Sequence, residues 1–540
     1  MDTFDYIIVG AGSAGCVLAN RLTASGRHRV LLLEAGGHDR HPWIHIPLGY
    51  GKLFNDARVN WLYTTEPEEE CAGRRVMQPR GKVLGGSSAI NGMIYIRGQA
   101  EDFDHWRQLG NAGWSFDDVL PYFRKAEDQE RGESALHGVG GPLAVSDVRD
   151  PHPLSEAFLQ AAEQSGFRRN PDFNGTRQEG FGYYQLTQRN GWRCSTAAGY
   201  LKPARRRGNL AIVSNAHATR VLFEHRRAVG VEYRQGETLR TARAAGEVIL
   251  AAGAFNSPQL LQLSGVGPAP LLKKFGIRVI EDSPGVGEDL QDHYQARLVY
   301  RCKEPLTLND AVGSLRGRIA AGLRYGLTRR GLAAIGAIHA GGFFRTDEAL
   351  ATPNVQGSIA LFSGDTIGGT LHPFSGFTGV LTLLRPESRG HVRIKSADPS
   401  AAPAIQPRYL SARRDREVIV SGLKTVRQIF AMPAMRRHIV AEYEPGADCA
   451  SDADLLDHIR RRGSTVYHPT STCRMGSDPA AVVDARLRVI GVGGLRVVDA
   501  SIMPAVVSGN TNAACVMIGE KASDMILADA AAKGASARAA

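Results

Sequence analysis

The sequence predicts an α/β protein, α+β overall, from three observations. A strand–turn–helix–strand unit with a glycine-rich turn opens the chain. Segments of similar glycine-rich character recur near 80–100, 210–295 and 466–525. The stretches between them, 150–205 and 296–465, carry Pro, Gly and alternating apolar–polar runs such as Gly379–Leu384 and His391–Ile394, which read as half-buried strands. With 540 residues the chain exceeds one simple core, so more than one domain is expected.

The opening unit is read residue by residue. Asp5 to Val9 is an apolar run typical of a buried parallel strand. Gly10-Ala11-Gly12-Ser13-Ala14-Gly15 then matches G-x-G-x-x-G. A helix is expected from Ser13 to Ser25, with Val17, Leu18 and Leu22 on one stripe and Gly26 as its C-cap. Val30 to Leu33 is the second strand, and Glu34 stands at its end, about 20 residues beyond the glycines, where a carboxylate accepts hydrogen bonds from a ribose diol. Gly10 permits the tight turn, Gly12 lets backbone approach a pyrophosphate, and Gly15 lets helix and strand pack closely. The helix N-terminus, with Ser13 and Ala14 in its first turn, supplies N–H groups and a dipole for the negative charge. The unit is a dinucleotide site of Rossmann type. The motif does not separate NAD from FAD, but an acid at position 34 argues against a 2′-phosphate.

Composition narrows the function. Hydrophobic residues make up 43% and charged residues 22%, which excludes disorder over most of the length. Lys plus Arg is 65 against 54 for Asp plus Glu, a net charge of +11. The basic residues are scattered, with short runs only at Arg205–Arg207 and Arg460–Arg462, so a nucleic-acid partner is not expected. Seven widely spaced cysteines without C-x-x-C argue against a disulfide framework and a structural zinc site, and no metal site is expected. No uncharged apolar run reaches membrane-spanning length, and no leader pattern is evident, so the expected location is cytoplasmic, with peripheral contact to a membrane as the variant.

Four further segments carry a resemblance. Residues 79–98 read PRGKVLGGSSAINGMIYIRG, 250–268 LAAGAFNSPQLLQLSGVGP, 284–293 PGVGEDLQDH, and 467–476 YHPTSTCRMG, followed by RVVDASIMP and NTNAACVMIGEK. With the opening motif, in order and spacing, the chain resembles the glucose–methanol–choline (GMC) oxidoreductases over most of its length, and in texture their bacterial alcohol, sorbose, polyethylene-glycol and choline dehydrogenases. The resemblance implies FAD and an interleaved architecture. An FAD-binding domain would comprise 1–149, 210–295 and 466–527, and a substrate domain on an antiparallel sheet 150–209 and 296–465. The alanine-rich stretch 528–540 reads as a flexible tail.

The resemblance also implies the site residues. Val83, Gly86 and Asn91, Gly92, Met93 and Ile94 would lie along the pyrophosphate and flavin. Asp499, Ala500, Thr511 and Asn512 would meet the cofactor, and Val221 the adenine through its backbone. Some family members carry at the position of Ile90 a histidine bonded covalently to flavin; isoleucine cannot form that bond, so dissociable FAD is expected. His468, within His-Pro-x-x-T-C-x-M-G, would be the acid/base beside the flavin N5, and Asn510 the amide that positions the substrate oxygen. Asn512 competes with Asn510 for that role. Both also suit the start of the apolar helix pattern that follows. Cys473 near His468 raises a nucleophile pair, but no third orienting group is visible. The implied reaction oxidises a primary or secondary alcohol, polyol or sugar alcohol, passing electrons to a quinone or other acceptor. An oxygen-using oxidase and a hydroxynitrile lyase are the alternatives. Oligomeric state is not legible.

Overall fold

The computed structural model describes residues 3–366 and 368–539. Its principal elements, in chain order, begin with β1 (Thr3–Val9), α1 (Ser13–Thr23), β2 (Val30–Leu33), α2 (Pro153–Gln164) and β3 (Gly180–Tyr183). Next come β4 (Leu210–Val213), β5 (Ala216–Glu224), β6 (Arg227–Gln235), β7 (Thr238–Leu250) and α3 (Gly253–Leu263). The second half holds β8 (Tyr294–Cys302), α4 (Leu315–Thr328), β9 (Ile338–Phe344), β10 (Val355–Ala360) and β11 (Gly376–Leu383). It closes with α5 (Arg413–Ala431), β12 (Ile439–Glu444), β13 (Ser464–Thr465), β14 (Leu495–Val497) and α6 (Asn512–Ala539).

Two sheets organise these elements. The first has the order β4-β2-β1-β7-β6-β5, with β14 beside β7. β4, β2, β1, β7 and β14 run parallel, while β5, β6 and β7 form an antiparallel meander. The parallel strands register so that Val9 faces Leu33 and Leu250, and Leu250 faces Val497. Consequently the chain leaves the sheet at one edge at Gly10, Glu34, Ala251 and Val498. This carboxyl edge is where open α/β sheets bind ligands. β2 is buried at all four positions, which is why its sequence is a continuous apolar run rather than an alternation.

The second sheet is antiparallel, in the order β12-β8-β11-β10-β9-β3 with β13 beside β8. Its register aligns Gln295 and Gln356 with Thr382, and Ser358 with Val380. These residues share one face. The other face is covered by α5 and α2, where Phe158, Leu381, Val426 and Phe430 are buried together. The parallel sheet has its own core, built with α1 and α6 and including Trp106 and Trp114.

The structure corrects the expected domain limits. α2 and β3 join the antiparallel layer, but residues 150–209 are not one unit. Tyr200, Leu201 and Ala204 are buried in the core of the parallel sheet, and Asn20 of α1 donates to the Tyr200 carbonyl at 2.7 Å. Residues 296–465 divide similarly. The ribbon His391–Arg393 with Ala404–Gln406 is held to α3 by Gln262, whose amide contacts Val392 O at 3.0 Å and Ile394 N at 2.8 Å. Alternation reveals a strand but not which sheet or helix it joins. α6 continues through the alanine-rich stretch to Ala539, so the backbone there is helical; residue 540 lies outside the described residues.

Gly15 tests the register of the opening turn. A Cβ at this position would lie 1.9 Å from the Gly10 carbonyl oxygen, a backbone atom that cannot swing away. Gly15→Ala is therefore expected to lower stability by about 1–3 kcal/mol, read as a shift in the urea midpoint. An unchanged midpoint would contradict the close helix–strand packing.

Candidate active site

A cavity of about 340 Å³ lies between the carboxyl edge of the parallel sheet and the inner face of the antiparallel sheet. Gly10, Gly12, Ser13, Ala14 and Glu34 line its first wall. Gly86 and the run Asn91, Gly92, Met93 and Ile94 line the next, together with Ile90. Asp499, Ala500, Asn510, Thr511 and Asn512 close the same side. The N-termini of α1, α3 and α6 all reach the cavity, through Ser13, Gly253 and Asn512, so three positive helix ends converge on it.

Three expected residues lie off the cavity. Gly15 packs helix against strand, as its position in the motif requires. Val83 is fully buried among Ile44, Leu53, Val59, Ala89 and Ile90, and so supports the wall from behind. Val221 is buried, and its N–H donates to Ser264 Oγ at 2.8 Å. An irregularity between Ala218 and Arg220 shifts the register of β5, and Ala216, His217 and Ala218 supply the wall instead.

The acids on this side are already engaged by backbone. Glu34 accepts from Ala11 N at 2.9 Å and Gly36 N at 2.8 Å, and burial pushes its carboxyl up to about 7 despite those donors. Asp499 accepts from Gly253 N at 2.8 Å, Ser257 Oγ at 2.5 Å and Ser501 N at 2.9 Å, tying the start of α3 to the loop after β14.

His468 lines the cavity beside Asn510, whose Nδ2 is 3.2 Å from His468 Nε2. Asn512 does not join this pair; its Oδ1 accepts from Ser13 Oγ at 2.8 Å across α1 and α6. His468 Nδ1 is 3.0 Å from His293 Nδ1, and His293 Nε2 is 3.0 Å from the Leu384 carbonyl. A carbonyl only accepts, so His293 carries its proton on Nε2. Burial holds His293 down at about 4, so it is neutral and its Nδ1 must accept. His468 therefore donates from Nδ1, leaving the Nε2 lone pair toward Asn510 and the cavity. Burial first, then the neighbouring His293 and Arg80, holds His468 well below the usual imidazole range. Asn510 Oδ1 is buried and has no protein hydrogen-bond partner.

Arg80, Asp292 and His293 complete this corner, and pattern reading assigned none of them a site role. Buried Asp292 accepts from His468 N at 2.8 Å, from Thr465 Oγ1 at 2.6 Å and from the Tyr409 hydroxyl. Arg80 lines the cavity and donates to the Tyr467 carbonyl at 2.6 Å. Their signal was present in the PRGK and LQDH segments, but only the folded chain brings these segments to His468. Cys473 is fully buried and off the cavity, in keeping with a small packing residue. Trp61 also lines the cavity, whereas Trp192 is exposed. Arg193 instead braces the wall, donating to Asn91 Oδ1 at 2.7 Å.

The covering wall is neutral. Gln295, Gln356, Ser358 and Thr382 present amides and hydroxyls, with Ile338, Phe362 and Val380 between them. Among the described residues, Glu34 and Asp499 are the only carboxylates lining the cavity, and both sit on the opposite side. Among the described residues no group of three or more His, Cys, Asp or Glu is placed to hold a metal.

The GMC oxidoreductase family models match residues 4–295 and 386–519. An alcohol dehydrogenase [acceptor] of Pseudomonas putida is 44% identical over 97% of this chain and 96% of its own. The mitochondrial choline dehydrogenase of Homo sapiens is 44% identical over 97% and 90%. Among solved structures, pyridoxine 4-oxidase from Mesorbium loti superposes with a TM-score of 0.88 at 32% identity, covering 96% of this chain and 98% of that one.

The walls fit the FAD that this family implies. A Cβ at Gly92 or Gly253 would meet nothing within 4 Å, so both cavity-lining positions leave room that side chains would otherwise fill. Gly92→Val is expected to leave the melting temperature near wild type while reducing bound flavin, read from the visible absorbance of the purified protein. Full flavin content in a folded Gly92→Val protein would place the cofactor elsewhere.

Proposed function

The chain belongs to the GMC oxidoreductase family, and from that premise we propose that it oxidises a neutral alcohol to an aldehyde or ketone with non-covalently bound FAD. Bound FAD supplies the hydride acceptor. Gly10, Gly12 and Glu34 hold its nucleotide part, and the Asn91–Ile94 wall and the N-terminus of α6 hold the flavin. Ile90 offers no nucleophile for a covalent link.

His468 Nε2 takes the hydroxyl proton of the substrate. Its lone pair faces the cavity, and its depressed basicity keeps it unprotonated at neutral pH. Asn510 donates from Nδ2, which orients the substrate oxygen and stabilises the negative charge that develops there. Arg80 adds a positive charge to the same corner. Burial of His468 lowers the effective dielectric around these groups, which strengthens their interactions.

The uncharged covering wall carries the choice of substrate. A quaternary ammonium ion such as choline would meet Arg80 and no free carboxylate. Amides and hydroxyls on Gln295, Gln356, Ser358 and Thr382 suit an alcohol bearing further hydroxyls, such as a polyol or sugar alcohol. Electrons then pass to a quinone or another acceptor in place of oxygen, a reading supported by the Pseudomonas putida relative.

Anaerobic mixing tests this reading. Uncharged primary alcohols and polyols should bleach the flavin band, and choline should not. Bleaching by choline as fast as by the best neutral alcohol would overturn the substrate assignment. Reoxidation by a soluble quinone much faster than by air is expected, and the reverse would make the enzyme an oxidase.

His468→Ala should retain flavin and slow its reduction by about 10²–10⁴-fold. The pH profile carries a sign. Protonation removes the base, so activity falls as pH drops, but only below the depressed value. The acid limb of kcat/KM should therefore lie below the ordinary histidine pKa of about 6.5. A limb at or above it would exclude His468 as the base.

A further inference from the structure

The face that carries α4 is open and apolar. Leu315, Ile319, Leu323 and Leu327 are 72, 53, 60 and 83% exposed. Residues four apart drift by about 40° on a helix of about 100° per residue, so the four occupy an arc of about 120°. The opposite side holds the helix to the protein. Tyr325 is buried there, its hydroxyl donating to the Gly191 carbonyl at 2.9 Å. The apolar stripe therefore points straight away from the body, the reverse of an ordinary surface helix.

Its surroundings are basic. Arg318 and Arg324 lie on the two flanks of the stripe, Arg316 falls inside its arc in the first turn, Arg329 and Arg330 follow the helix, and no acidic residue occurs from Ala311 to Thr346. Arg324 pairs with Asp150 at 2.7 Å, while Arg316 and Arg330 make no ion pair among the described residues. Two exposed tryptophans adjoin. Trp192 lies against Tyr325, with ring centroids 5.8 Å apart, and carries the Arg329 guanidinium over its face at 4.5 Å. The Pro42–His45 turn, with Trp43 43% exposed, packs beside Trp192–Arg193.

We propose that α4 docks this protein on an anionic lipid bilayer, lying flat in the interface with Leu315, Ile319, Leu323 and Leu327 in the acyl boundary. The arginines reach back to lipid phosphates and the tryptophans sit at headgroup depth, each in the environment its side chain favours. A second copy of the chain fits the same stripe less well. A twofold contact along α4 would set its unpaired arginines against their own equivalents with no carboxylate to answer them. No described helix is long and apolar enough to cross a membrane, so α4 lies on the bilayer and does not span it. The turn Leu332–Ala334 that follows packs on Pro47–Gly49, next to Tyr50 of the cavity wall. Docking thus sets one side of the cavity close to the lipid. The inference stands whether or not the proposed reaction is correct.

Co-sedimentation of the holoenzyme with vesicles tests it. Protein should pellet with phosphatidylcholine vesicles containing about 30 mol% phosphatidylglycerol, pellet poorly with phosphatidylcholine alone, and be released by high salt. Ile319→Asp/Leu323→Asp should cut the pelleted fraction at least tenfold while keeping wild-type circular dichroism and flavin content. Arg316→Glu/Arg330→Glu, which leaves the apolar stripe intact, should weaken binding to the anionic vesicles severalfold. Wild-type protein that stays in the supernatant with both vesicle types would overturn the proposal. So would wild-type pelleting by both variants. A dimer in sedimentation velocity that Ile319→Asp/Leu323→Asp converts to monomer, with vesicle binding unchanged, would assign the face to a second copy instead.

Discussion

A carbonyl oxygen cannot donate a hydrogen bond, and the chemistry of this site depends on that. The Leu384 carbonyl, just past the end of β11, dictates the proton on His293, which in turn dictates the proton on His468. The covering sheet thereby decides which nitrogen of a side chain on the nucleotide side is free to act as a base. The intermediate strip is pinned from both sides. Gln291 exchanges backbone hydrogen bonds with Thr470 and accepts Val506 N on its side-chain oxygen at 3.1 Å. Tyr467 and Ser471, on either side of the His468–Thr470 run, have φ of 70 and 76°. Such conformations cost about 1–3 kcal/mol each and persist because neighbours over-determine them. Here Asp292 supplies that restraint through the His468 N–H.

Electrostatics in the cavity follow from the same burial. Removing water from His468 penalises its cation, and Arg80 adds to that penalty, so the imidazole stays neutral and basic at one nitrogen only. Asn510 bears the corresponding cost on its Oδ1, which is buried with no protein partner. An unmet buried acceptor costs about 1–3 kcal/mol, and a bound ligand with a donor at that place recovers it. Asn510 Nδ2 donates toward the His468 Nε2 lone pair at 3.2 Å, and a group bridging the two would accept that N–H and donate to that lone pair, which describes a hydroxyl.

How far the sequence revealed this structure varied with distance along the chain. The opening unit was legible because local period and three glycines fix it, and its strands end within a residue or two of expectation. His468 is one histidine among sixteen, and composition alone could not single it out; the surrounding motif did. Val221 was misplaced because a register shift in β5 is invisible in the pattern. The packing of residues 197–204 on α1 was missed because helical segments do not announce which face of which sheet they cover. His293 received no site role from the pattern because its partners lie 175 and 91 positions away. What is local was readable; what is paired across the fold was not.

Charge is sorted in this molecule, and selectivity follows from the sorting. The carboxylates lining the cavity, Glu34 and Asp499, stand on the parallel-sheet side, and backbone N–H groups already engage them. The Arg80 cation stands near His468. The covering wall has neither, so discrimination between alcohols rests on which ones lose least on leaving water. A permanently charged substrate would lose its hydration and gain no counter-ion, whereas a polyol can exchange water for the amides and hydroxyls of β8, β10 and β11.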